Sequence, residues 1–233
     1  MNRTAIYLAL SIFLTASSLF AARPLSTDDA GTVEKGKFET EMSFDHCQYR
    51  PDGVCHSPGL AVKHGLTDRL DFGLGFFPST DKDAGGNTVG WGMSPLEVGF
   101  KLGLLKERPT LPDISVSAGF ETGNSGYGLN LILSREYGSL GLHYNLGYNS
   151  PGEVMVKGSI GTSLAAEYTF AEKYRLCAEL NSEIIDDRSE VLGNSGLIGG
   201  SLDIGLLIWD IGFRMHDPRG PKTTITTGVT AEF

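Results

Sequence analysis

The chain has 233 residues, 19 basic against 28 acidic side chains and a formal net charge of −9, with no basic patch, so nothing in it offers a nucleic-acid footprint. No segment approaches the ~18 consecutive apolar residues of a membrane-spanning helix. The 31 glycines exceed the usual share and lie inside apparent strands, not in a collagen-like repeat.

Residues 1–22 read as a secretory signal peptide. Arg3 supplies the positive end, Ala5 to Leu14 the apolar stretch, and Thr15 to Ser18 a small-residue run, with cleavage expected near Ala21 or Ala22. Leu19 at minus three departs from the ideal site. A retained anchor is the competing reading, but the apolar run is short of the ~20 residues a span needs. No cysteine stands near the cleavage site, which argues against lipoprotein processing.

From Gly36 onward the sequence alternates with period two, the mark of strands with one apolar and one polar face. The first strand, 36–48, sets Phe38, Met42 and Phe44 against Lys37, Glu39, Glu41 and Asp45. The second, 56–66, and third, 70–78, flank the turn Thr67-Asp68-Arg69. The fourth, 90–105, opposes Leu96, Val98, Phe100 and Leu102 to Glu97, Gly99 and Lys101, and Pro95 weakens its outer end. The fifth to seventh are 114–122, 127–137 and 139–148. The eighth, 154–170, and ninth, 174–184, meet at Ala171-Glu172-Lys173. The tenth, 195–204, is the least patterned, and the eleventh is 207–216. The twelfth, 224–233, places Ile225, Val229, Ala231 and Phe233 on one face and Thr224, Thr226, Gly228, Thr230 and Glu232 on the other.

Short turns alternate with longer polar connections such as 79–88 and 185–195. An even strand count with this asymmetry suits a bacterial barrel with both chain ends in the periplasm. The expectation is an all-β fold: one antiparallel transmembrane β-barrel of about 12 strands over residues 36–233, preceded by a periplasmic segment at 23–35, in the bacterial outer membrane. A final strand ending on an aromatic looks like the assembly signal of such barrels, which assigns that role to Phe233. An edge strand of a soluble β-protein is the plainer alternative.

Alternation is symmetrical, so a lipocalin-like barrel with apolar residues inside fits the same pattern. Three features favour the inverted sense: the leader, the terminal aromatic strand, and a polar face carrying glycines and charges of both signs. Lys or Arg on a lipid face costs about 2–4 kcal/mol at the midplane. The expected pore-lining charges are then Glu39, Glu41, Lys63, Asp71, Glu97, Lys101, Glu121, Lys157, Glu167, Arg175, Glu179, Asp210 and Arg214. Acids dominate, so the lumen reads either as a cation-leaning path or as a network of salt bridges that fills the barrel.

Cys47 and Cys55 flank a loop containing Pro51-Asp52-Gly53, a turn signal, and a disulfide between them is expected in an oxidising compartment. His46 and His56 adjoin them, which raises zinc as an alternative. Adjacent strand residues point to opposite faces, so the four cannot easily converge, and no metal site or cofactor is expected. Cys177 has no expected partner. His143, with Ser134, Ser159 or Ser163, is one hint of catalysis, and no nucleophile motif supports it; Glu39/Glu41 and Glu179/Glu183 invite acid/base readings, but repeated inward carboxylates follow from the strand period alone, and the chain is read as a non-enzyme.

Arg23-Pro24-Leu25-Ser26-Thr27-Asp28-Asp29-Ala30-Gly31-Thr32-Val33-Glu34-Lys35-Gly36-Lys37-Phe38-Glu39 resembles the opening of mature proteins in the outer-membrane transporter family linked to the phenol-degradation (meta-) pathway. Gly65-Leu66-Thr67-Asp68-Arg69-Leu70-Asp71 and the terminal Gly228-Val229-Thr230-Ala231-Glu232-Phe233 are similar in type. The resemblance implies an outer-membrane barrel that passes small molecules, with aromatic compounds as a suggestion. The expected partners are outer-membrane lipid, the barrel-assembly machinery and a small-molecule solute, with no nucleic acid. The expected function is a channel for small aromatic or polar solutes, by passive diffusion through a charged lumen. A non-conducting structural or surface barrel and a lipid-modifying enzyme are the alternatives. The stretch Ser26-Thr27-Asp28-Asp29 is expected at or inside the periplasmic mouth, where its acids can meet Lys101 or Arg214.

Overall fold

A computed structural model describes residues 23–49, 53–82, 88–92, 94–106, 108–123, 125–152, 157–185, 191–217 and 221–233. The expected leader, 1–22, lies outside the described residues. Fourteen strands follow in chain order: β1 (Phe38–Gln48), β2 (Val54–Thr67), β3 (Leu70–Phe76), β4 (Ser79–Lys82), β5 (Thr88–Gly92), β6 (Glu97–Leu105), β7 (Asp113–Glu121), β8 (Tyr127–Tyr137), β9 (Leu140–Ser150), β10 (Ser159–Phe170), β11 (Tyr174–Ile185), β12 (Val191–Asp203), β13 (Leu207–His216) and β14 (Thr223–Glu232).

Twelve of them form a closed antiparallel barrel in which each strand pairs with its sequence neighbour, β3 pairs with β6, and β14 returns to β1. The seam runs in register from Glu39 opposite Glu232 to Gln48 opposite Thr223. Phe38 and Phe233 close its lower end, each backbone N–H donating to the other's carbonyl at 2.8 and 2.9 Å, with the two rings stacked. Closure removes every edge, which a sheet in hydrocarbon requires because no water can satisfy a free N–H or C=O there.

The expected strand count holds, with one difference at the outer rim. The polar stretch after β3 folds back as a hairpin, β4–β5, and the expected fourth strand begins only at Glu97. Pro95, unable to donate to a ladder, stands at the break. The hairpin pairs instead with the top of β2, Val54 opposite Lys82 and His56 opposite Thr80. The connections at the end shared by both ladder termini are tight, except that residues 106–112 join β6 to β7. Gly138 adopts φ 64° between Tyr137 and Leu140, the left-handed conformation that two-residue hairpin turns demand.

Burial decides the sense of the faces. Leu164, Leu180, Ile198, Ile211 and Phe213 are exposed, while the alternating polar positions are buried or half-buried. The apolar band therefore faces out, flanked near the tight turns by Tyr137, Tyr168, Phe170, Tyr174 and Trp209, an aromatic girdle of the transmembrane kind. The fold is that of a bacterial outer-membrane barrel. Leu164 stands mid-strand on β10 and is 53% exposed, so Leu164→Arg should destabilise the barrel by about 2–4 kcal/mol. Urea titration of the protein folded into liposomes should show this, and a half-buried inward position such as Ser163→Arg should cost less.

Candidate functional site: the lumen and its N-terminal strap

The expected wall charges are on the inward face. Glu39, Glu41, Lys63, Asp71, Glu97, Lys101, Glu121, Glu167, Arg175, Glu179, Asp210 and Arg214 are all buried or half-buried. Lys157 differs: it precedes β10 and is exposed, outside the barrel ladder. The bases are held by acids. Lys63 donates to Glu39 and Glu41, both at 2.7 Å. Arg214 lies 2.7 Å from Glu179, and Arg175 3.3 Å from Glu167. A charge in a narrow lumen needs such partners, because losing one leaves the other uncompensated at a cost of about 3–5 kcal/mol.

The segment 23–35 lies deeper than the periplasmic mouth. It enters the barrel and runs round the inner wall as a strap. Arg23 donates to Thr226 Oγ1 and to the Thr227 carbonyl on β14, and its Nε stands 3.5 Å from Asp210 on β13. Leu25 packs on Ala165, Cys177 and Leu197 of β10 to β12, an apolar seat inside an otherwise polar lumen. The backbone N–H groups of Ser26 and Thr27 both donate to Glu179 Oε2 at 2.6 Å, while Arg214 donates to the Ser26 hydroxyl at 2.7 Å. Asp28 is bound through its backbone by Asn145 of β9, which accepts from its N–H and donates to its carbonyl at 2.7 and 2.8 Å. Lys101 of β6 donates to the Asp28 carboxylate at 2.9 Å.

Further on, Ala30 donates to Ser134 of β8 and accepts from Ser115 of β7. Val33 donates to Asp71 of β3 at 2.9 Å, and Lys35 bridges to Gly65 of β2. The strap thus runs from β14 round to β2, with Arg214 of β13 and Lys101 of β6 reaching it out of strand order. Apart from the single Lys35–Gly65 bridge it is held by side-chain contacts, not by a strand ladder.

Glycines make the room. A Cβ on Gly212 would stand 3.0 Å from Pro24 and 2.9 Å from Thr226, and one on Gly228 would stand 2.5 Å from the Arg23 Nε. A Cβ on Gly65 would fall 2.4 Å from the Glu34 carbonyl oxygen. The expected meeting of the strap acids with Lys101 occurs at Asp28, whereas Arg214 meets the strap through Ser26. Ser115, Asn145 and Ile132 were not singled out in the sequence. They are uncharged, and only their inward parity marks them.

The His143 cluster meets the strap. The Ser134 hydroxyl, which accepts from Ala30 N–H, lies 2.8 Å from His143 Nδ1, and His143 Nε2 lies 3.6 Å from Glu167. The hydroxyl proton is free to point at Nδ1, which leaves the ring proton on Nε2 facing the carboxylate. Ser134 is buried beneath Ala30, so this file braces the strap. Ser159 donates instead to Glu183.

Cys47 and Cys55 face each other in register across β1 and β2, and the expected disulfide does not join them in this structure. Tyr49 N–H donates to Gly53 and Gly65 N–H to Lys37, so the odd-numbered β1 positions are hydrogen-bonded pairs. Such pairs hold their Cα atoms about 5.5 Å apart, a spacing that a disulfide spans, so the register itself does not exclude the bond.

With this geometry the barrel resembles several solved structures. An outer-membrane channel from Pseudomonas putida F1 is 13% identical, with a TM-score of 0.63, covering 88% of this chain and 98% of that one. The NanC porin is 9% identical with a TM-score of 0.60, covering 83% and 98%. The CymD monoaromatic hydrocarbon channel is 9% identical with a TM-score of 0.51, covering 96% and 92%. At these identities the likeness is one of fold. No family model and no curated protein sequence matches the chain.

Burial pushes the Asp28 carboxyl up to about 7, against the opposing pull of the neighbouring Lys101 ammonium. A released strap returns Asp28 to water and an ordinary carboxylate pKa of about 4. Docking therefore takes up a proton, and the contribution of Asp28 to docking, complete in acid, falls away as pH rises through about 7. Hydrogen exchange at Thr27, Asp28 and Val33, corrected for intrinsic rates, should show a looser strap at pH 8 than at pH 5. Asp28→Asn should flatten that difference. Gly212→Val should displace Pro24 and strip protection from the strap amides while leaving the barrel strands protected.

Proposed function

We propose that the protein is an outer-membrane channel that passes small polar or aromatic solutes by passive diffusion, with the strap setting the width of its bore. The observation that carries this reading is the strap's mode of attachment. The wall ladder is continuous without it, and from Arg23 to Val33 side-chain contacts hold it, with one backbone bridge, Lys35 to Gly65, just before it enters β1. A segment so held can withdraw without opening the barrel. Above the strap, Glu97 and Glu121 pair across β6 and β7, and Glu183 lies near the outer end of β11. An acidic outer vestibule favours cations and hydrogen-bonding solutes.

The resemblance to the phenol-degradation transporter family supports the aromatic class. The fold shared with a monoaromatic hydrocarbon channel is compatible with it. In this reading the outward apolar band meets outer-membrane lipid, and the assembly machinery reads the last strand with Phe233. A non-conducting barrel is the second reading, favoured by the number of strap contacts.

Planar-bilayer recording separates the two. The native protein should give discrete, cation-selective steps, and removal of residues 23–33 should enlarge them. Glu97→Gln with Glu121→Gln should shift the reversal potential toward non-selectivity in a salt gradient. Silence from both the native and the strap-deleted protein, with folding verified by heat-modifiable gel mobility, would establish the non-conducting barrel.

A further inference from the structure

His46 and His56 are direct partners across β1 and β2, on the outward face and close to the outer rim. Even-numbered β1 positions are the non-hydrogen-bonded pairs of this ladder, since the neighbouring odd pairs carry the hydrogen bonds. Side chains at such pairs approach most closely, with Cα atoms about 4.5 Å apart. The two rings lie with centroids 5.0 Å apart, and the His56 ring also stacks on Phe44.

The nitrogen spacing decides what this pair is suited to. The two Nδ1 atoms are 3.4 Å apart. That is long for an N–H···N hydrogen bond, whose donor and acceptor normally approach to about 2.7–3.2 Å. It matches the edge of a tetrahedron around zinc, since two Zn–N bonds of about 2.0–2.1 Å at the tetrahedral angle separate their nitrogens by about 3.3–3.4 Å. We propose that His46 and His56 form a two-imidazole clamp for a borderline divalent metal ion, of the Zn²⁺, Cu²⁺ or Ni²⁺ class, beside the first outer loop.

Imidazole suits these metals over Mg²⁺ or Ca²⁺. Among the described residues no group of three or more His, Cys, Asp or Glu is gathered for a metal, so water completes the coordination shell. The adjacent thiols take no part: Cys47 and Cys55 point into the lumen, on the face opposite the imidazoles. Bound metal would tie β1 to β2 directly beneath the 49–53 connection, on the outer side of the wall.

The test is a Cu²⁺ titration of the untagged, folded full-length mature protein, followed by electron paramagnetic resonance. One copper per chain is expected, with hyperfine structure from two imidazole nitrogens, and Zn²⁺ should displace it. His46→Ala and His56→Ala should each weaken binding by about tenfold or more, by comparison with losses seen when a metal site's support is removed. Cys47→Ser with Cys55→Ser, and His64→Ala, should leave the signal unchanged. A signal that survives both His46→Ala and His56→Ala, or one lost with the thiols, overturns the proposal, as does the absence of any bound copper.

Discussion

Everything in this molecule depends on the rule that backbone N–H and C=O groups cannot face hydrocarbon unpaired. A β-sheet obeys it only by closing, and this one closes where β14 meets β1 over ten consecutive residue pairs. Closure then dictates the rest. Each strand must turn one face to lipid and one to the lumen, so a period-two sequence becomes an apolar exterior and a polar interior. The tight turns and the strand termini gather at one end, together with the longer 106–112 connection, and the remaining longer connections at the other.

A polar interior creates a second constraint. Acids and bases facing a narrow lumen must find partners, and the wall satisfies only part of that demand itself, through Lys63 with Glu39 and Glu41 or Arg175 with Glu167. The strap supplies more. Its amides occupy Glu179 and Asp71, its Asp28 accepts a hydrogen bond from Lys101, and its Arg23 approaches Asp210. The same polar face that lines the lumen thus makes a binding site for residues 23–35, and any solute entering the lumen competes with them for one space. Leu25 adds an apolar anchor, buried against Ala165, Cys177 and Leu197, that an aqueous lumen would not otherwise hold.

The outer rim shows how far local pattern carries. The cysteines and histidines around the first outer loop could not be sorted by spacing alone. The ladder sorts them: odd positions point in as wide, hydrogen-bonded pairs, and even positions point out as close pairs. That alternation separates the thiols from the imidazoles and brings the two imidazole nitrogens within 3.4 Å. The β4–β5 hairpin was illegible for a related reason. Ser79–Lys82 is uniformly polar and reads as a loop, Thr88–Gly92 runs on into the expected fourth strand, and only Pro95 hints that the ladder breaks there.

Much of the fold was legible in the residues. Runs such as Leu140-Gly141-Leu142-His143-Tyr144 on β9 or Leu207-Ile208-Trp209-Asp210-Ile211 on β13 carry their strand and their faces in the order of their side chains, because a pleated strand alternates at every residue. β12 was the weakest, since Gly193, Gly196, Gly199 and Gly200 leave little contrast between faces. The list of inward charges was also readable from parity, except at Lys157, where the strand had not yet begun. The site was less legible. The strap's motif was conspicuous, and its acids pointed to wall cations, but its receptor is spread over strands from β2 to β14, and parity says nothing of which inward residues share a depth. Ser134 and Ser115 meet one residue, Ala30, and Asn145 and Lys101 meet another, Asp28, only because closure and register bring those strands to one level. The one-dimensional alternation of side chains therefore determined the strands and which residues share a face. Only the closed three-dimensional register decided which face turns inward and that residues 23–35 thread the lumen, because contacts across a barrel join positions that no local period connects.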